Sequence, residues 1–182
     1  FLENTPTLRL GSDEEYVDAF MEVYTEAVRC RMRSLRPVGV SLSGGLDSGS
    51  VSAIAARELG RIGKHLPAFS SVPLYDITGM TSASQFGDER PLVEATSRHA
   101  GNIDVTFIYA NDVSPVRGIL QGLELHDQPM HAAANQFWIV SLLKKAQAHG
   151  IGSLLEGQGG NNTVSWSVPW YLAILAKQGK WK

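Results

Sequence analysis

Hydrophobic positions recur along this chain with two alternating periods. From residue 12 to about Ser34, Tyr16, Phe20, Val23, Tyr24, Ala27 and Val28 fall three and four apart. That spacing predicts a helix with an apolar stripe. Ser12-Asp13-Glu14-Glu15 supplies a capping-box start. Val38 to Leu42 is a short apolar run, suited to a strand buried on both faces. After Ser43-Gly44-Gly45 the helical period returns at Val51, Ile54, Ala55 and Leu59, and Gly60 closes that helix. Pro67 to Val72 reads as a second strand and residues 74–87 as a long loop. Asp88-Glu89-Arg90-Pro91 opens a helix that Gly101 stops. Ile103 to Tyr109 reads as a third strand; Val116, Ile119, Leu120 and Leu123 mark a helix ending near Leu125. The polar break His126-Asp127-Gln128-Pro129 precedes a helix over residues 132–149, expected to bury Phe137, Trp138, Leu142 and Ala146. Ile151 to Glu156 is the fourth strand, followed at once by Gly157-Gln158-Gly159-Gly160. A last helix is expected near Pro169 to Lys177, with Trp170, Leu172 and Leu175.

Strands alternating with helices predict an α/β fold: a three-layer α/β/α domain around a mainly parallel sheet, with right-handed crossovers. Ligands of such sheets bind beyond the carboxyl ends of the strands. Two glycine-rich turns, at 43–45 and 157–160, each follow a strand directly. Both are expected to open onto one crevice.

The chemistry concentrates at Val38–Ser50. Strand, glycine turn and helix in succession leave free N–H groups and the positive end of the helix dipole facing the turn, an anion site. Gly44 and Gly45 let the backbone approach the anion, and Ser43 and Ser48 add hydroxyls. The lysine of the phosphate-binding Gly-Lys-Ser/Thr loop is missing, and so is the three-glycine dinucleotide spacing. Asp47, at the start of that helix, reads as a helix cap.

Composition narrows the partners. The net charge of −2 gives no support to a nucleic-acid surface. No apolar run approaches the roughly 20 residues of a membrane span, and the N-terminus lacks the pattern of a signal peptide. One cysteine, Cys30, excludes an internal disulfide. It is expected to be a small buried helix residue, in a protein of the reducing cytoplasm. The basic cluster Arg29, Arg31, Arg33 and Arg36 is read as complementing the end of the first helix. The histidines at 65, 99, 126, 131 and 149 are read as surface or cap residues, without metal spacing.

Ser43-Gly44-Gly45-Leu46-Asp47-Ser48, with Arg36-Pro37-Val38-Gly39-Val40 before it and His126-Asp127-Gln128-Pro129 and Gly157-Gln158-Gly159-Gly160 after it, resembles the N-type ATP pyrophosphatases. Within that group it resembles the synthetase domain of the asparagine synthetase family, from about residue 12 to 165. The resemblance implies an adenine nucleotide alpha hydrolase-like fold. It also implies ATP and Mg2+ as cofactors, and an AMP-forming amide ligase that adenylates a carboxylate and passes it to ammonia or an amine. ATP would lie against Leu42, Ser43, Gly44, Gly45, Asp47, Ser48, Ser70, Val72, Gly157, Gln158 and Gly159. Asp47 would hold the metal, and Asp47 and Asp127 would be catalytic; Asp88 and Glu89 match a family Asp-Glu pair. Asn161-Asn162 stands where the family has Asp-Glu, so Asn161 is a weakened metal ligand. Gly-Gly-Asn followed by Ser165-Trp166 is more typical of divergent members, including macrolactam-forming cyclases of lasso peptides. A degenerate, non-catalytic nucleotide-binding domain is the third reading. Residues 1–11 are expected to be a tail or linker. Residues 12–182 are expected to form one synthetase domain, incomplete at its C-terminus and without a glutaminase domain. The ammonia or amine would then come from a glutaminase domain, a partner or the substrate itself.

Overall fold

Val40 and Leu66 are sealed completely from solvent, and the sheet is built around them. The computed structural model describes residues 8–80, 86–165, 173, 175–177 and 179. Residues 1–7 of the expected tail and most of the expected last helix, Trp170 and Leu172 included, lie outside the described residues. The elements are α1 (Asp13–Arg31), β1 (Val38–Ser41), α2 (Leu46–Gly60), β2 (Leu66–Ser71), α3 (Arg90–Ala100), β3 (Ile103–Ile108), α4 (Pro115–His126), α5 (Gln136–Ala148) and β4 (Ser153–Leu155). All strand pairs are parallel, in the order β3-β2-β1-β4. The expected three-layer α/β/α architecture is therefore present.

Strand alternation divides the core in two. Val40, Leu42, Leu66 and Ala68 pack with Ile54, Ala55 and Val93 of α2 and α3. Phe69 and Ile108 face the other way, against Leu142 and Ala146 of α5. Each fully buried Val, Leu or Phe contributes roughly 1.5–3 kcal/mol of transfer free energy. Gly39 keeps β1 close to its neighbour: a Cβ there would lie 3.1 Å from the Pro67 carbonyl and 3.3 Å from the Phe69 ring.

Helix ends follow the sequence closely. Ser12 caps α1, accepting the Glu15 N–H, while the Glu15 carboxylate reaches back to the N–H of Gly11 rather than to Ser12. Gly101 ends α3 in the left-handed region, at φ 77°. The arginine cluster behaves as helix chemistry. Arg31 donates to the Ala27 carbonyl, and Arg29 and Arg61 both reach Glu58, tying α1 to α2. All five histidines are exposed, as expected.

Two burial expectations fail, at Cys30 and at Phe137 and Trp138, and two apolar stripes are left largely uncovered. On α1 only Val28 is buried; Tyr16, Phe20 and Val23 remain exposed. Helical periodicity measures amphipathicity and does not say whether a neighbour covers the stripe. Cys30 is exposed too, and its thiol donates to Glu26 at 3.2 Å, one turn back. On α4 the apolar residues Val116, Leu120 and Leu123 stay exposed, while Gly118 and Gly122 are buried. The contact with α5 is made through glycine, because the two backbones approach too closely for a side chain. A Cβ on Gly118 would collide with the Phe137 backbone. Phe137 and Trp138, expected to be buried, are only half-buried.

Two glycines in helices therefore separate cleanly. Gly118→Ala is expected to destabilise the fold by about 1–3 kcal/mol through overpacking. Gly49→Ala, with nothing within 4 Å of the added Cβ, is expected to stabilise it by about 0.5–1 kcal/mol. Urea unfolding midpoints of the two variants test the pair.

Candidate functional site

Parallel pairing of β1 with β4, with Val38 opposite Ser153 and Val40 opposite Leu155, sets their carboxyl ends side by side. The two glycine turns meet there. Gly157 lies directly on the start of α2: a Cβ on it would fall 2.5 Å from the Ser48 nitrogen and 2.7 Å from the Asp47 carbonyl carbon. A Cβ on Gly160 would strike the Asp47 carboxyl group. Gly159 adopts φ 85°, a conformation that favours glycine. The second turn is thus glycine-rich because α2 occupies the space that side chains would need.

The first turn is held by its serines. The Ser43 and Ser48 hydroxyls are 2.7 Å apart; Ser48 Oγ accepts the Ser43 N–H and Ser43 Oγ accepts the Gly45 N–H. Ser48 and Ser52 are buried, and Ser52 Oγ donates to the Ser48 carbonyl. Gly45 is the N-cap of α2 and provides no side-chain cap, so the helix presents uncapped N–H groups to the crevice. The Gly44 N–H donates instead to the Glu89 carboxylate at 3.1 Å. Gly44 is pressed against α3, where a Cβ would sit 2.7 Å from Leu92.

Asp47 lies in the first turn of α2, between the two glycine turns. Its Oδ1 is buried and accepts no hydrogen bond. A carboxylate oxygen in that position is costly unless a cation or donor reaches it. Asn161 is exposed, and its Oδ1 accepts the Ser165 hydroxyl at 3.3 Å. Among the described residues no group of three or more His, Cys, Asp or Glu side chains could hold a metal ion.

The other candidate residues divide by position. Leu42 continues β1 by donating to the Phe69 carbonyl, and Val72 continues β2 by donating to the Ile108 carbonyl. Both are buried, as is Ser70, whose hydroxyl has no partner. Gln158 lines an open cavity of about 620 Å3 with Asp47, Gly157 and Gly160, and Tyr24, Val51 and Arg31 line it too. Asp127 stands apart. It is the left-handed C-cap of α4 at φ 54°, its N–H donates to the Leu123 carbonyl, and it lines none of the crevices described here.

Sequence reading missed a second crevice beyond β2 and β3. One part, about 690 Å3, is lined by Val72, Tyr75, Tyr109, Phe137 and Trp138. The adjoining part, about 430 Å3, is polar, with Asp76, Asp88 and Arg90. Arg90 holds Asp88 through two contacts, of 2.6 and 2.7 Å. The hydrogen bond and charge of Arg90 lower the Asp88 pKa below the usual carboxylate range and raise that of Arg90. No local motif announces this crevice, because its walls come from four separate segments.

The asparagine synthase family model matches residues 19–182. That span takes in both glycine turns and the whole sheet. The chain belongs to the asparagine synthase family. It is 27% identical over 161 residues to a probable glutamine-hydrolysing asparagine synthetase of Dictyostelium discoideum, covering 86% of this chain and 28% of that protein. It is 28% identical over 154 residues to glutamine-hydrolysing asparagine synthetase 1 of Saccharomyces cerevisiae, covering 74% and 27%. A protein of Gibberella zeae named amidase chry2 is 26% identical over 156 residues, covering 82% and 22%. The chain spans about a quarter of the length of these relatives.

The Asp88–Arg90 pair carries a pH signature. A carboxyl pKa lowered on folding stabilises the protein above the unfolded value, roughly pH 4, and that contribution disappears as pH falls through the folded value. Wild type is therefore expected to exceed Asp88→Asn in stability near neutrality, the difference closing in acid. Unfolding titrations at stepped pH check this.

Proposed function

We propose that this chain is the nucleotide-binding synthetase part of an ATP-dependent, AMP-forming amide ligase. One observation carries the reading: two glycine turns, from strands adjacent in the sheet, close around Asp47 and the uncapped start of α2. Membership of the asparagine synthase family supports it.

In this reading a substrate carboxylate attacks the α-phosphorus of ATP. An acyl-adenylate forms and pyrophosphate leaves; ammonia or an amine then displaces AMP and forms the amide. The chain's task in the first step is to hold the negative charge that accumulates on the leaving pyrophosphate. The N–H groups of Gly44 and Gly45 and the hydroxyls of Ser43 and Ser48 are the donors for that charge. Leu42, Ser70 and Val72, at the ends of β1 and β2, border the adenine. Gly157, Gln158 and Gly159 form the opposite wall. Asp127 is assigned near the substrate by the family resemblance alone.

Mg2+ fits this site through Asp47, whose buried Oδ1 lacks any partner. When bound, Mg2+ neutralises phosphate charge, and it commonly needs only one or two protein carboxylates beside phosphate oxygens and water. Asn161 would add a neutral amide oxygen at most, so Asp47 holds the principal role.

The amine or ammonia comes from a glutaminase domain or a partner, or belongs to the substrate. The last case describes a macrolactam-forming cyclase. Near-neutral charge argues against a nucleic-acid partner. Among the described residues no helix is long and apolar enough to cross a membrane. The cytoplasm is the proposed compartment.

Carboxylate-dependent ATP–pyrophosphate exchange by the full-length protein tests the proposal. Exchange is expected with at least one amino-acid or peptide carboxylate, and Asp47→Asn is expected to lower it by roughly 100-fold or more. ATP binding without exchange for any carboxylate would contradict the ligase reading. Full activity in Asp47→Asn would remove Asp47 from the site.

A further inference from the structure

The crevice already contains an anion. Glu89 is the N-cap residue of α3, yet its side chain makes no capping bond to its own helix. It reaches instead across 45 residues of sequence to accept the Gly44 N–H at 3.1 Å. That N–H belongs to the residue just before the N-cap of α2, at the positive end of the helix. A carboxylate placed there complements the dipole, and it does so in the place where a bound phosphate oxygen would act.

The contact is built rather than incidental. Glu89 is half-buried, and its Cβ and the Leu92 side chain press on Gly44, where a Cβ would lie 3.3 Å from the former and 2.7 Å from the latter. The remaining donors of the turn are also occupied internally: Ser43 Oγ takes the Gly45 N–H, and Ser48 Oγ takes the Ser43 N–H. A serine hydroxyl is neutral and can turn to donate to an incoming anion. A carboxylate cannot donate, and it repels.

We propose that Glu89 is a resident stand-in for the pyrophosphate, which must leave the Gly44 N–H before the phosphates of a nucleoside triphosphate can seat. This inference rests on the ligase reading above and adds a residue that sets nucleotide affinity. Its neighbours extend the consequence. Asp88 and Arg90, on either side of Glu89, line the polar crevice beyond β2 and β3 with Asp76 and Tyr109. The start of α3 thus touches the nucleotide turn through Glu89 and the second crevice through the residues flanking it.

Calorimetric titration of wild type, Glu89→Gln and Glu89→Ala with Mg2+-pyrophosphate and with a non-hydrolysable ATP analogue tests this. Thermal unfolding checks that each variant folds. Glutamine keeps the size and an acceptor oxygen but lacks the charge, and alanine removes both. Both variants are expected to bind about tenfold more tightly than wild type. In a amide-resolved spectrum, the Gly44 N–H is expected to move in ligand-free Glu89→Ala as its acceptor is lost. Wild type that binds, with variants that bind equally or more weakly, would overturn this inference alone. No binding by any of the three would overturn the ligase reading and this inference with it.

Discussion

The close approach of Gly157 and Gly160 to the first turn of α2 is the constraint on which the crevice depends. A single Cβ at either position would enter the space of Asp47 or Ser48. Sheet order makes the approach possible: β1 and β4 are neighbours and parallel, so the two turns start side by side. Glycine at the crossing lets the turns touch, and contact hides the Asp47 Oδ1 from solvent without supplying a partner. The cost of that unpartnered oxygen, on the order of 1–3 kcal/mol, is borne by a core in which β1 and β2 are buried on both faces. A stable sheet thus carries a locally unfavourable electrostatic arrangement that a bound cation would relieve.

Charge around the crevice is divided between the two turns. On the α3 side, Gly44 offers an N–H to Glu89, an anion. On the β4 side, Asp47 offers an oxygen that lacks a cation. A metal-bound pyrophosphate has both missing parts, phosphate oxygens for the N–H groups and a cation for the carboxylate. Asn161 bears on only one half of this. Its amide is already engaged with Ser165 and brings no charge, so Asp47 and the backbone donors carry the electrostatics.

Much of this was legible from the chain. The short apolar run Val38–Leu42, the glycines after it and the helical spacing of Ile54 and Ala55 announce strand, turn and helix, and the alternation of elements announces the parallel sheet. Convergence of the turns at 43–45 and 157–160 followed from topology alone. What failed depended on tertiary contact. The stripes of α1 and α4 are amphipathic, yet exposed over most of their length, and Gly118 was invisible as a contact residue because glycine, near neutral in hydropathy, marks no apolar face. Cys30 lies on an exposed face that periodicity did not assign. Glu89 was legible as one of a family Asp-Glu pair at a helix start, but only the packing of α3 against Gly44 reveals what it holds.

Locating the pyrophosphate on the chain is the most direct test of the crevice. An amide-resolved NMR titration of the protein with Mg2+-pyrophosphate would do so. The largest shifts are predicted at Gly44, Gly45, Asp47 and Ser48 on one side and at Gly157, Gly159 and Gly160 on the other, moving together with one affinity. Shifts confined to the crevice of Tyr75, Tyr109 and Trp138, or to one turn without the other, would contradict a cradle formed by both.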